Sequence, residues 1–145
     1  MDDATEHQPP RNQPWPKCPA VPCAWGDVFD RLTILTLKCE RISDPERRAH
    51  AAAEKVAVAE VVGDLGAFPS RLDELCERLA KVNASLWFVE DEIRACERAG
   101  RFDDEFIALA RAVYQQNDNR AALKREISLL LGSAILEEKS FSTAR

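Results

Sequence analysis

The sequence predicts an all-α protein: a four-helix antiparallel bundle, or a pair of helical hairpins, behind a disordered N-terminal tail. Three observations predict it. Apolar residues recur at alternating spacings of three and four, the period of a helix with one buried stripe. Start and stop residues cut the periodic part into four runs. Six of the eight prolines fall within the first 24 residues, where no periodicity exists. The expected division is residues 1–24 as a tail, 25–141 as one helical domain, and 142–145 as a short C-terminal tail.

A chain of 145 residues is long enough for one domain with a core. It is 46% hydrophobic and 31% charged, an ordinary balance for a globular chain. A net charge of −5 argues against nucleic-acid binding through a basic field. No run approaches the ~18 apolar residues of a membrane span. The N-terminus carries Asp, Glu, Gln and Pro rather than an apolar leader, so the chain is expected in the cytoplasm and away from membranes. Of five cysteines, Cys39, Cys76 and Cys96 fall in helical patterns and read as small apolar fillers. Cys18 and Cys23, with His7 upstream, are too loosely spaced for a zinc knuckle and lack a second ligand pair. No metal or other cofactor is expected.

The first helix is expected over 27–42, with Asp27 in its first turn, where a carboxylate suits the helix dipole. Val28, Leu32, Leu35, Cys39 and Ile42 form its seam, while Ile34 and Leu37 lie opposite. A helix apolar on two sides is either central or contacts a second copy of the protein. Thr33, Thr36 and Glu40 make a narrow polar stripe between the faces, and Asp27 and Arg31 form an i,i+4 pair. Ser43, Asp44 and Pro45 start a second helix that runs to Val62; rich in alanine, it offers a thin contact face. Residues 63–69 break it. Ser70 is expected to cap a third helix over 71–98, stopped by Gly100. Asp103 caps a fourth, which continues to about Leu131 before Gly132.

The third helix carries two messages. Leu72, Leu75, Leu79, Val82, Leu86, Val89 and Ile93 form a regular seam facing a partner helix. Beside it, Asn83, Trp87, Glu90 and Arg94 stand on one line. The fourth helix reads Phe106, Leu109, Val113, Asn117, Arg120, Lys124, Ile127 and Leu131 down its central face, apolar at both ends and polar in the middle. A plain bundle helix would keep aliphatic residues there. Buried cations and amides without partners are costly, so something must satisfy them. The short connection around residue 100 makes helices three and four antiparallel neighbours. Folding there at 1.5 Å per residue brings Asn117 level with Asn83 and Tyr114 level with Trp87.

Two readings of this polar layer stay open. It is a buried ionic network in which Glu40, Glu77, Glu90 and Asp91 neutralise Arg120, Lys124 and Arg94 and fix helix register. Alternatively it is a pocket: Arg120 and Lys124 hold an anionic small molecule, Trp87 and Tyr114 form a flat wall, and Asn83 and Asn117 direct hydrogen bonds, with Glu90, Arg94 and Glu40 at the edge. The chain has no Gly-rich phosphate loop, nucleophile elbow or histidine metal motif. Acid–base chemistry would fall to a carboxylate such as Glu90 or Glu40. The two-sided first helix and the third-helix seam also predict a homodimer.

Several separated motifs occur in order: Gly26-Asp27 with Asp30-Arg31-Leu32-Thr33-Ile34-Leu35, Lys38 and Glu40-Arg41-Ile42; Val82-Asn83, Leu86-Trp87, Glu90-Asp91 and Ile93-Arg94; Tyr114, Asn117-Asp118, Arg120-Ala121 and Leu123-Lys124-Arg125; Gly132-Ser133 and Glu137-Glu138-Lys139-Ser140. Together they resemble a bacterial domain-of-unknown-function family of short helical proteins, over about residues 25–141. The chain departs from that pattern at Trp25, where a small polar residue is usual, and at Phe141, where tyrosine is. The resemblance implies a genomic neighbourhood of glycosyltransferase and surface-polysaccharide genes, and through it a sugar phosphate or nucleotide sugar as the anion.

Overall fold

A computed structural model describes residues 14–63 and 67–140. Four helices follow in order: α1 (Trp25–Arg41), α2 (Pro45–Val62), α3 (Arg71–Ala99) and α4 (Asp104–Leu130). Among the described residues there is no strand. Residues 14–24 precede α1 without regular structure and are exposed up to the buried Ala24. The expectations for residues 1–13, including His7, and for residues 141–145, including Phe141, lie outside the described residues.

The helix ends follow local chemistry, with two instructive exceptions. Asp44 accepts from the Arg47 N–H (2.8 Å) and Pro45 holds the first position of α2. Asp103 accepts from the Phe106 N–H (3.2 Å), and that bond pulls its carboxyl below the usual aspartate range. Gly100, at φ +62°, closes α3: its N–H bonds the Glu97 carbonyl and the Arg101 N–H bonds the Cys96 carbonyl. Ser70, expected to cap α3, holds the position but makes no side-chain cap bond. Its backbone is already helical (φ −59°, ψ −28°), whereas a capping side chain needs an extended residue behind it. The first turn is closed by the Pro69 and Ser70 carbonyls instead.

The second exception is the start of α1, two residues before Asp27. Its N-cap is Ala24, which has no side-chain acceptor. The acceptors come from the far end of the chain. The Trp25 N–H donates to the Ser133 hydroxyl and the Gly26 N–H to the Ser128 hydroxyl, both at 2.9 Å. Two donors that a helix start leaves open are thereby satisfied by α4 and the turn after it. Gly26 is required for this approach: a Cβ there would lie 2.1 Å from the Lys124 carbonyl oxygen.

α1 is central and packs against all three other helices. It runs antiparallel to α2, with Arg31 at Glu54, and antiparallel to α4, with Trp25 at Ser133 and Asp30 at Arg120. It runs parallel to α3, with Trp25 at Phe68 and Arg41 over Trp87. α3 and α4 are antiparallel, as Arg71 at Glu126 shows. The two-sided apolarity of α1 therefore serves the chain's own core: Leu35 faces inward on one side and Leu37, 8% exposed, on the other. The α3 seam is buried at Leu72, Leu75, Leu79, Leu86 and Val89 and half-buried at Val82 and Ile93. Phe29, Leu123, Ile127 and Val62 complete the core, with Phe68 edge-on to both Trp25 and Phe29 at its end and the Trp25 and Phe29 rings tilted by 34°. α2 buries only Ala51 and Val62, the thin face its composition predicts. No helix among the described residues is long and apolar enough to cross a membrane.

Candidate functional site

The polar centre of α4 meets α1 and α3 in a layer built around Asp30, which lies outside the polar stripes that the sequence suggests for the site. Asp30 on α1 is 5% exposed. Its Oδ1 accepts from Arg120 Nε (2.8 Å) and Asn83 Nδ2 (3.0 Å), and its Oδ2 accepts from Arg120 Nη2 (2.6 Å). The guanidinium thus engages both carboxylate oxygens, the fork geometry that arginine favours. Asn83 Nδ2 also donates to Thr33 Oγ1 (2.7 Å), whose hydroxyl donates to the Asp30 carbonyl (2.7 Å). The Arg120 side chain remains 29% exposed. Its bond to Asp30 outweighs burial and raises the guanidinium pKa further above its ordinary value. Among the described residues, no buried side-chain nitrogen or oxygen lacks a partner.

Above this layer a groove of about 480 Å³ opens between α1, α3 and α4. Ile34, Leu37 and Leu86 give it an apolar side, and Asn83, Asn117 and Arg120 a polar one. Trp87, Glu90, Asp91 and Arg94 line the α3 edge. Arg94 is held by the Glu90 carboxylate one turn earlier (2.6 Å), and the Arg41 guanidinium stands 6.0 Å from the Trp87 ring centre, within cation–π range. Asn117 donates to the Val113 carbonyl (3.0 Å) and faces Arg120 Nη1 at 3.5 Å. Asn83, Trp87, Glu90, Arg94, Asn117 and Arg120 are therefore brought together.

Three expected members stand elsewhere. Tyr114 is 54% exposed and does not line the groove; its place on α4 turns it outward although its height matches Trp87. Glu40 is exposed on α1 and does not line the groove either. Lys124 lies one turn below Arg120 and bonds Asp27 (2.8 Å) and Glu137 (3.0 Å). Burial lowers the Lys124 pKa, but the bonds to those two carboxylates outweigh it, and the net shift is upward. Asp27 is thus engaged by Lys124 rather than by Arg31, which bonds Glu54 on α2 (2.7 Å). The acids expected to neutralise Arg120 do not: Glu77 is exposed, and Glu90 serves Arg94. A signal for Asp30 existed. It shares one face of α1 with Gly26, Thr33 and Leu37, at i−4, i+3 and i+7.

The cysteines behave as packing residues: Cys96 is buried, and burial followed by the nearby Asp73 charge pushes the Cys76 thiol up to about 11. Cys18 and Cys23 are exposed. Among the described residues no group of three or more His, Cys, Asp or Glu side chains is placed to hold a metal ion. Compared with protein-family models, curated proteins and solved structures, the chain matches none.

Proposed function

We propose that the protein acts by binding rather than by chemistry, as a helical interaction module that pairs with a second copy of itself in the cytoplasm. The observation that carries this reading is the state of the two cations. Arg120 is held on both oxygens of Asp30, and Lys124 is held by Asp27 and Glu137. The buried Arg120–Asp30 pair sets register and costs stability if either half is removed. The pairing surface is supported by Phe88, Phe102, Ile107 and Tyr114, which stand more than half exposed on the α3–α4 hairpin. Light scattering at tens of micromolar, a concentration suited to micromolar association, is expected to return twice the monomer mass.

A second reading keeps the anionic small molecule, a sugar phosphate or nucleotide sugar tied to glycoconjugate metabolism. It is favoured by the groove, where Arg120 stands partly exposed beside Asn83, Asn117 and Trp87. In that reading the ligand takes the Arg120 fork from Asp30. Thermal unfolding of the wild type and Arg120→Met, with and without phosphates, nucleotide sugars and dicarboxylates, separates the two. The module reading expects a strongly destabilised variant and no ligand shift in either protein. The ligand reading expects a stabilising compound whose effect the variant loses.

A further inference from the structure

The chain leaves α4 at Gly132, where φ is +65°, and doubles back. Ser133 is pinned by the Trp25 N–H, and residues 133–140 carry no helix or strand. They run along α4 so that two adjacent carboxylates meet two adjacent cations: Glu137 at Lys124 (3.0 Å) and Glu138 at Arg125 (2.8 Å). Leu136, half-buried, enters the space behind them, while its neighbour Ile135 is 44% exposed. A cavity of about 210 Å³ remains between this segment and the helices, walled by Ala24, Ala121, Ser128 and Leu136.

The two sides of this contact differ in character. The receiving side is fixed by secondary structure: Lys124 is 16% exposed, and Asp27 on α1 orients its ammonium. The arriving side is irregular chain, with the Glu137 and Glu138 side chains 47% and 75% exposed. Exposed ion pairs of this kind are individually weak and screened by salt. A formed, half-buried basic cleft filled by a weakly held acidic segment is the arrangement of a receptor with its own ligand attached.

We infer that the cleft between the first turn of α1 and the last turns of α4 is an acidic-peptide site, filled in cis by residues 136–139. The peptide it selects places an aliphatic residue directly before two carboxylates, as Leu136-Glu137-Glu138 does. The inference rests on the reading of the protein as a binding module. It concerns a different surface from the Asp30 layer, so Arg120→Met leaves it standing.

The test uses the full chain carrying Glu137→Ala and Glu138→Ala, titrated against a fluorescently labelled peptide of residues 133–140 and read by anisotropy at low ionic strength. Saturable binding is expected. Wild-type chain is expected to bind the peptide at least about tenfold more weakly, because its own segment competes at a millimolar effective concentration. A peptide with both glutamates changed to glutamine is expected to bind at least about tenfold more weakly, a result independent of how any protein variant folds. Adding Lys124→Gln and Arg125→Gln to the receptor is expected to weaken binding by a similar factor. Absence of saturation, equal affinity for wild type and variant, or displacement of the labelled peptide by inorganic phosphate as effectively as by unlabelled peptide would each overturn the assignment.

Discussion

Arg120 and Lys124 lie one turn apart on α4, and each meets carboxylates, yet the two contacts obey different physics. Arg120 binds a carboxylate that is 5% exposed, on a neighbouring helix, through two nitrogens. Lys124 binds Asp27 on a helix and Glu137 on irregular chain, whose side chain is 47% exposed. Desolvation makes the first pair costly to break, because the survivor is left charged inside the protein. The second is cheap to exchange, because water takes over the released Glu137 carboxylate and Asp27 keeps the Lys124 ammonium paired. Cation and carboxylate thus build a register lock at one level and a displaceable contact at the next.

The comparison is broken most directly at the buried pair. Asp30→Ala is expected to destabilise by about 3–5 kcal/mol, since it strands the Arg120 guanidinium and removes one of the two acceptors of the Asn83 amide. Denaturant unfolding measures it, and a loss below about 1 kcal/mol would remove the distinction. Next in size is the backbone contact that holds both levels together. Gly26→Ala forces a methyl into the Lys124 carbonyl and is expected to cost about 1–3 kcal/mol or more. The same change weakens the caps from Ser128 and Ser133, so hydrogen exchange of the first α1 amides should rise with it.

At the exposed level the expected effect is much smaller. Glu138→Ala is expected to change stability by about 0–1 kcal/mol, less at high salt. Lys124 gives a pH signature. Its pKa is raised on folding, so its contribution is fully present below the ordinary lysine value of about 10.4 and is lost as pH climbs through the higher folded value. Stability should therefore fall on the alkaline side, and Lys124→Met should flatten that fall. The smallest effect concerns the thiols. Cys18 and Cys23 are expected to react with a thiol reagent at pH 8 within the mixing time of the folded protein, whereas Cys76, pushed up to about 11, and buried Cys96 react only on unfolding. Counting fast and slow thiols checks it.

The fold was largely readable because its cues are local. Asp44-Pro45, Gly100 and Asp103 end or start helices by their own backbone and side-chain chemistry, and the α3 seam repeats at helical spacing. Part of the candidate site was readable for the same reason: register about the α3–α4 turn places Asn83 and Asn117 on one groove. What was not readable depends on contacts between distant residues. Ala24 as a helix cap makes sense only with Ser128 and Ser133, which lie 102 and 108 residues beyond the N–H groups they serve. Asp30 hides for a related reason: an aspartate in an amphipathic helix reads as solvated until a guanidinium 90 residues away is seen to share its face. The outward turn of Tyr114 follows from the rotation of α4 about its axis, which level matching along the hairpin does not fix.

The central claim, that Arg120 is committed to the fold while Lys124 is available to exchange, is tested most directly by two double-mutant cycles measured side by side. One pairs Asp30→Asn with Arg120→Met; the other pairs Glu137→Gln with Lys124→Met. The account predicts a coupling of at least about 2 kcal/mol for the first and below about 1 kcal/mol for the second. Comparable couplings, or a larger value for Glu137 and Lys124, would contradict it.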